Sequence, residues 1–174
     1  MVVKSMPFVI KRKVMRLIPF EEKDATLLIS WLPDRASSLL WGGRVYDWPI
    51  RPMQIVERQK KPEVMSFIMV DSEGMKVGFI EILKVTNEEY RLCRVIISSA
   101  IGKGNGYGKK LVKLAVSYVR DNFMAKQVTL AVFERNERAV YCYKSVGFTL
   151  VSRDVNARVF DGCSWPLLQM KIAL

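Results

Sequence analysis

Four glycines at alternate positions, 102, 104, 106 and 108, punctuate the stretch IGKGNGYGKK, Ile101 to Lys110. Glycine at that density weakens a chain unless the backbone has a task that side chains would obstruct. Before the turn, YRLCRVIISSA is apolar and β-branched, as a strand should be. After it, GKKLVKLAVSYVRDNF sets Leu111, Leu114, Ala115, Tyr118 and Val119 at helical spacing. Strand, glycine turn and helix start, in that order, point to a layered α/β fold. They also present free amides at the positive end of a helix dipole. Gly104, Asn105, Gly106, Tyr107 and Gly108 would let a diphosphate lie against the backbone, with Lys103 and Lys109 adding charge.

Register excludes two common phosphate loops. A GxxxxGK[ST] loop needs glycine at 107 or 109, which hold Tyr107 and Lys109. A dinucleotide GxGxxG fails from each starting glycine, because its last position falls on Tyr107, Lys109 or Leu111.

The rest of the chain fits one domain over residues 1–174, with 1–13 an irregular lead-in. Val14–Phe20 reads as a strand, EEKDATLLISWL as a helix stopped by Pro33, and DRASSLLWGG as a short helix capped by Asp34 and ended by Gly42–Gly43. A proline-rich stretch holds a helical turn at Met53–Gln59, and VMSFIMVD and MKVGFIEILKV form a hairpin. Beyond the glycine helix, QVTLAVF is a buried strand and NERAVYCYKSVGF a helix with an Asn136 cap and Gly147 past its end. Strands near Phe148–Val155 and Ser164–Ile172 close an α/β layered sheet with mixed strand directions.

Composition narrows the chemistry. The chain has no histidine, which removes Ser-His-Asp and Cys-His catalysis and leaves a catalytic zinc site without its usual ligands; no metal is expected. Cys93, Cys142 and Cys163 are widely spaced and in no CxxC pattern, which suits a reducing, cytoplasmic setting. Cys93 and Cys142 read as small core residues. No apolar run approaches the roughly 20 residues of a membrane span, and MVVKSMPFVIKRKV lacks the features of a signal peptide. The net charge of +11 suggests an anionic partner, although the basic residues are scattered except at Lys11–Lys13 and the glycine loop.

Two spaced patterns resemble one family. Lys103-Gly104-Asn105-Gly106-Tyr107-Gly108 is similar to the [Q/R]-x-x-G-x-[G/A] acetyl-CoA loop of the GCN5-related N-acetyltransferases, with Lys103 in place of Gln or Arg. Asn136, Ala139, Tyr143 and Gly147–Phe148 resemble that family's N-x-x-A-x-x-x-Y-x-x-x-G-F signature, at the expected distance after the loop. The likeness covers about residues 63–155 well and is greatest to the branch of ribosomal-protein and small-amine N-acetyltransferases.

The resemblance implies a mixed, mostly antiparallel sheet of about seven strands with helices on both faces, and direct acetyl transfer from acetyl-CoA to a primary amine of a small molecule, a protein N-terminus or a lysine. It implies that backbone groups at Ile96, Ile97 and Ser98 pair with the pantetheine arm and polarise the thioester. Tyr143 would donate a hydrogen bond or a proton to the departing thiolate, and Asn136, seven residues earlier, shares its helix face towards the cofactor. For the base, Glu81 in GFIEI is favoured over Glu134 in VFERN, with a water wire or a surface role as the preferred reading over either. Trp31, Trp41, Tyr46 and Trp48 either line an acceptor pocket or, as the preferred reading, pack the N-terminal helices. The basic balance disfavours a polycationic acceptor such as a polyamine unless an acidic pocket exists, which Asp47 or Glu57 could only begin. The acceptor stays open, as does a homodimer. The competing readings are a basic RNA- or ribosome-associated binding protein, not favoured because no RNA-binding aromatic motif accompanies the charge, and a catalytically silent acyl-CoA-binding module.

Overall fold

A computed structural model describes residues 14–101 and 104–174. Strand β1 (Arg16–Pro19) leads into a 3-10 turn at Glu22–Asp24, then helices α1 (Ala25–Ser30), α2 (Arg35–Gly42) and α3 (Pro52–Gln59). Strands β2 (Val64–Val70), β3 (Lys76–Lys84) and β4 (Glu89–Ile97) form an antiparallel meander. After the glycine loop come α4 (Tyr107–Asn122), β5 (Gln127–Phe133), α5 (Glu137–Val146) and β6 (Thr149–Asp154). Two short strands, β7 (Val159–Phe160) and β8 (Cys163–Ser164), precede the last strand, β9 (Leu167–Ala173). The main sheet has seven strands in the order β1-β2-β3-β4-β5-β9-β6. Every pairing in it is antiparallel except β4 with β5.

Alternation along β3 divides the apolar side chains between two faces. Phe79 joins Ile68, Val70, Leu28 and Ile55 under α1 and α3. Ile80 and Ile82 join Leu92, Leu130, Leu111, Ala115 and Val119 under α4. The expected first helix starts as a 3-10 turn, because buried Asp24 is drawn inward: it accepts from the Glu21 amide and pairs with Lys76.

The β7–β8 hairpin is absent from the sequence reading, since two-residue strands have no periodicity to detect. It still had a signal. Asp161-Gly162 is the dipeptide that favours a tight turn with two left-handed residues, and φ is 49° and 77° at these positions. The hairpin packs Phe160 and Trp165 against Phe133 of β5, with Leu39 and Leu40 of α2 alongside. The last strand therefore starts at Leu167 instead of Ser164.

Candidate active site

The glycine loop leaves the end of β4 through a 3-10 turn at Ser99–Ile101. Lys103 lies outside the described residues. Gly104 and Gly106 have φ of 82° and 79°, left-handed values that a side chain would strain, and a Cβ built on either would meet no atom within 4 Å. The loop is therefore open to a ligand on the side where glycine is required. Asn105 folds it: its side-chain amide donates to the Ile101 carbonyl at 2.8 Å, and its oxygen accepts from Tyr107 N–H at 3.3 Å. The helical ladder begins with Lys110 N–H donating to the Gly106 carbonyl at 3.0 Å. The amides of Gly108 and Lys109 precede it, at the positive helix end.

Beside the loop the sheet opens. β4 and β5 pair in parallel from Glu89↔Gln127 to Leu92↔Leu130, and there the ladder stops, although β4 runs on to Ile97 and β5 to Phe133. Where the strands part, β4 carries a bulge. Cys93 faces Glu81 and Ile96 faces Phe79, so Arg94 and Val95 together oppose Ile80. Arg94 absorbs the kink at φ 52°.

The three backbone positions expected along this opening are not equivalent. Ser98 N–H donates to the Val77 carbonyl of β3 at 2.9 Å, so its amide is already committed. Strand alternation turns the amide of Ile96 the same way, towards Phe79. Ile97, between them, aims its amide and carbonyl at the gap. The expectation for Ser98 and Ile96 is corrected accordingly.

Tyr143 projects from α5 and is 8% exposed. Burial pushes its phenol well above the ordinary tyrosine range. Its ring meets Phe148 edge-on at 6.1 Å, and its carbonyl accepts from Phe148 N–H at 3.1 Å while Gly147 ends the helix with φ 118°. Asn136 caps the other end, its side-chain oxygen accepting from Ala139 N–H at 3.3 Å. Tyr141 faces solvent, as its two-residue offset requires. Burial raises the thiol pKa of both Cys93 and Cys142.

Neither expected base is free. Glu81 is fully buried, and both of its oxygens accept from Arg58 of α3, at 2.9 and 2.6 Å, while Arg94 donates a further bond at 2.5 Å. Glu81 is thus the anchor of a buried charge cluster, and its assignment as a general base is corrected. Glu134 sits on the surface in a two-bond ion pair with Arg153, which lowers its pKa.

Sequence reasoning missed Arg94 and Arg58. The signal was present: an arginine within LCRVII and a glutamate within GFIEIL are opposite charges in apolar strands, and such charges need each other. Trp31 and Tyr46 are core, as preferred. Trp41 also has a polar task, because its indole N–H donates to the Arg94 carbonyl at 2.8 Å and so pins the bulge. Trp41 stacks on Tyr46 at 5.5 Å. Gly42 makes room for this, since a Cβ there would stand 3.3 Å from the Tyr46 ring. Trp48 is exposed and borders a cleft of about 420 Å³ with Tyr46, Asp47, Arg35, Arg44 and Phe160. No helix among the described residues is long and apolar enough to cross a membrane, and no group of three or more His, Cys, Asp or Glu among them could hold a metal ion.

A glycine turn at a helix start, next to two parallel strands that part, is the arrangement that the acetyltransferase resemblance calls for. The sequence profile of the acetyltransferase (GNAT) family matches residues 33–148, and the chain belongs to that family. It is an acetyl-CoA-dependent N-acetyltransferase. It is 24% identical over 136 residues to spermidine N(1)-acetyltransferase of Escherichia coli K12, covering 78% of this chain and 73% of that one. Among solved structures it is similar to a spermidine N-acetyltransferase from Vibrio cholerae in complex with CoA and spermine. The TM-score is 0.79 at 18% identity, covering 91% of this chain and 95% of that one.

Proposed function

We propose that acetyl-CoA lies with its pyrophosphate on the amides from Gly104 to Lys109, its arm running between β4 and β5 and its thioester near the bulge. The observation that carries this is the parting of β4 from β5 beyond Leu92 and Leu130, directly before the glycine loop. The acceptor is a primary amine of a small molecule, a reading supported by the small-amine enzymes among the relatives.

In the transfer, a neutral amine nitrogen forms a bond to the acetyl carbon, and the carbon–sulfur bond breaks. The Ile97 amide, facing the gap, stabilises the negative charge that develops on the carbonyl oxygen. Tyr143, kept protonated by burial, gives its proton to the leaving thiolate. With Glu81 and Glu134 both held by arginines, the proton lost by the amine passes to solvent water, which returns one to the Tyr143 phenolate.

The test is thermal unfolding with acetyl-CoA, CoA, NADH and ATP side by side, followed by free-thiol detection with an amine panel. Selective stabilisation by acetyl-CoA and CoA, of about 2.7 kcal/mol at a hundredfold excess over Kd, is the expected result. If neither ligand shifts the melting temperature, the assignment of the loop fails.

A further inference from the structure

Beneath the bulge, two arginines share one carboxylate. Arg94 and Arg58 both pair with Glu81, and the side chains are 8%, 14% and 0% exposed. One positive charge is therefore left over in a poorly solvated place, where an unmatched charge is costly. The surplus has a direction. Arg94 Nε and the Tyr46 hydroxyl are both buried without a hydrogen-bond partner among the described residues. Tyr46 lies 5.9 Å below the Arg94 guanidinium and also forms part of the cleft wall.

The cleft charges do not cancel this surplus. Arg35 is paired with Asp161 at 3.1 Å, and Arg44 donates to the Val159 carbonyl and lies over Phe160. Asp47 is the remaining acid of the lining and is exposed. Glu57, which could have extended an acidic pocket, is tied to Lys60 at 2.7 Å. Lining charges thus balance to zero, with Arg35 and Arg44 against Asp47 and Asp161, and the buried cluster tips the site to positive.

We propose that the acceptor amine carries an oxyanion of carboxylate size, which the Tyr46 hydroxyl and the Arg94 guanidinium hold beside the parted strands. This rests on the acetyl-transfer reading above and narrows it to amino-acid-like acceptors. A carboxylate accepts from both orphaned donors and neutralises the surplus charge in one contact. A polyamine meets a site without an acidic cluster to receive its second ammonium. The bulge at Arg94 places the anion near the acyl end of the gap, so the amine beside it is within reach of the thioester.

The experiment compares acetylation of amino acids, aminophosphonates and spermidine by the full-length chain, read as thiol release. Wild-type enzyme and Tyr46→Phe, which deletes only the hydroxyl, are run in parallel. Expected are the highest kcat/KM for an anion-bearing amine and a rise in its KM of about tenfold in Tyr46→Phe, with kcat and the acetyl-CoA melting shift unchanged. The aminophosphonate arm tells which oxyanion fits. Two results overturn the proposal while leaving the acetyl-transfer reading intact: spermidine outperforming every anionic amine, or Tyr46→Phe leaving the KM of the best anionic amine unchanged. Loss of the acetyl-CoA melting shift in the wild-type chain would instead sink the acetyl-transfer reading itself. Should Tyr46→Phe melt several degrees lower, Arg94→Lys, which keeps the charge but not the fork, gives the same KM test.

Discussion

The two halves of the site are built from different materials. The cofactor side uses backbone: left-handed glycines at 104 and 106, amides at the start of α4, and strand edges exposed where β4 leaves β5. The acceptor side uses side chains from three elements and a loop, with Arg58 and Arg94 on one buried carboxylate and Trp41 and Tyr46 set against Arg94. A backbone site needs only a local order of residue types, so short motifs record it. A side-chain site depends on which distant residues meet, and it can be redrawn by single substitutions.

This contrast can be broken at four points. The largest effect is expected at their meeting place. Tyr143→Phe should lower kcat by about a hundredfold, with acetyl-CoA affinity nearly intact, as loss of a general acid does. Steady-state kinetics beside a melting shift will separate the two. Burial raises the folded-state pKa of this phenol above that of the unfolded chain, so the stability it confers is complete below pH 10 and declines as pH rises beyond it. Activity should accordingly show no fall from this group below that pH.

Next comes the backbone side. Gly106→Ala forces a side chain into φ 79° and should cost roughly 1–2 kcal/mol of stability. It should also weaken acetyl-CoA binding and leave the acceptor KM alone; calorimetric titration measures the first directly. Trp41→Phe probes the other side. It keeps the ring but leaves the Arg94 carbonyl unpaired, a loss of about 1–3 kcal/mol. If the bulge matters as argued, acceptor kcat/KM falls more than the affinity for CoA.

The smallest effect is expected at Glu134→Gln. Its ion pair with Arg153 is exposed, so the melting temperature should scarcely move, and kcat should stay within about twofold. A collapse of kcat would make Glu134 the base after all.

Legibility followed the same division. The strand–loop–helix unit, Asn136 as a cap and Gly147 as a terminator could all be read, since each rests on near neighbours in the chain. Glu81 could be located but not understood. Its partners stand 23 residues before it and 13 after, and nothing local announces that both arginines will face it. Ser98 and Ile96 were misread for a related reason. Which way an amide points is set by the bulge at Arg94, and a bulge shifts the parity of every later residue. The Asp161-Gly162 turn is legible on its own, but the two-residue strands on either side carry no periodicity to mark a hairpin.

The short parallel seam has a mechanical meaning as well. Four rungs, Glu89 to Leu92 against Gln127 to Leu130, join the meander β1–β4 to the β5-β9-β6 group, and beyond them the two groups lean apart like the jaws of a clothes-peg. Placed as proposed above, the cosubstrate's arm would fill the gap between the jaws as a missing rung of the sheet. Amide exchange at Ile97 of β4 and at Ala131 and Phe133 of β5, which alternation turns away from β9, should slow together when CoA is added, and quicken together when it leaves.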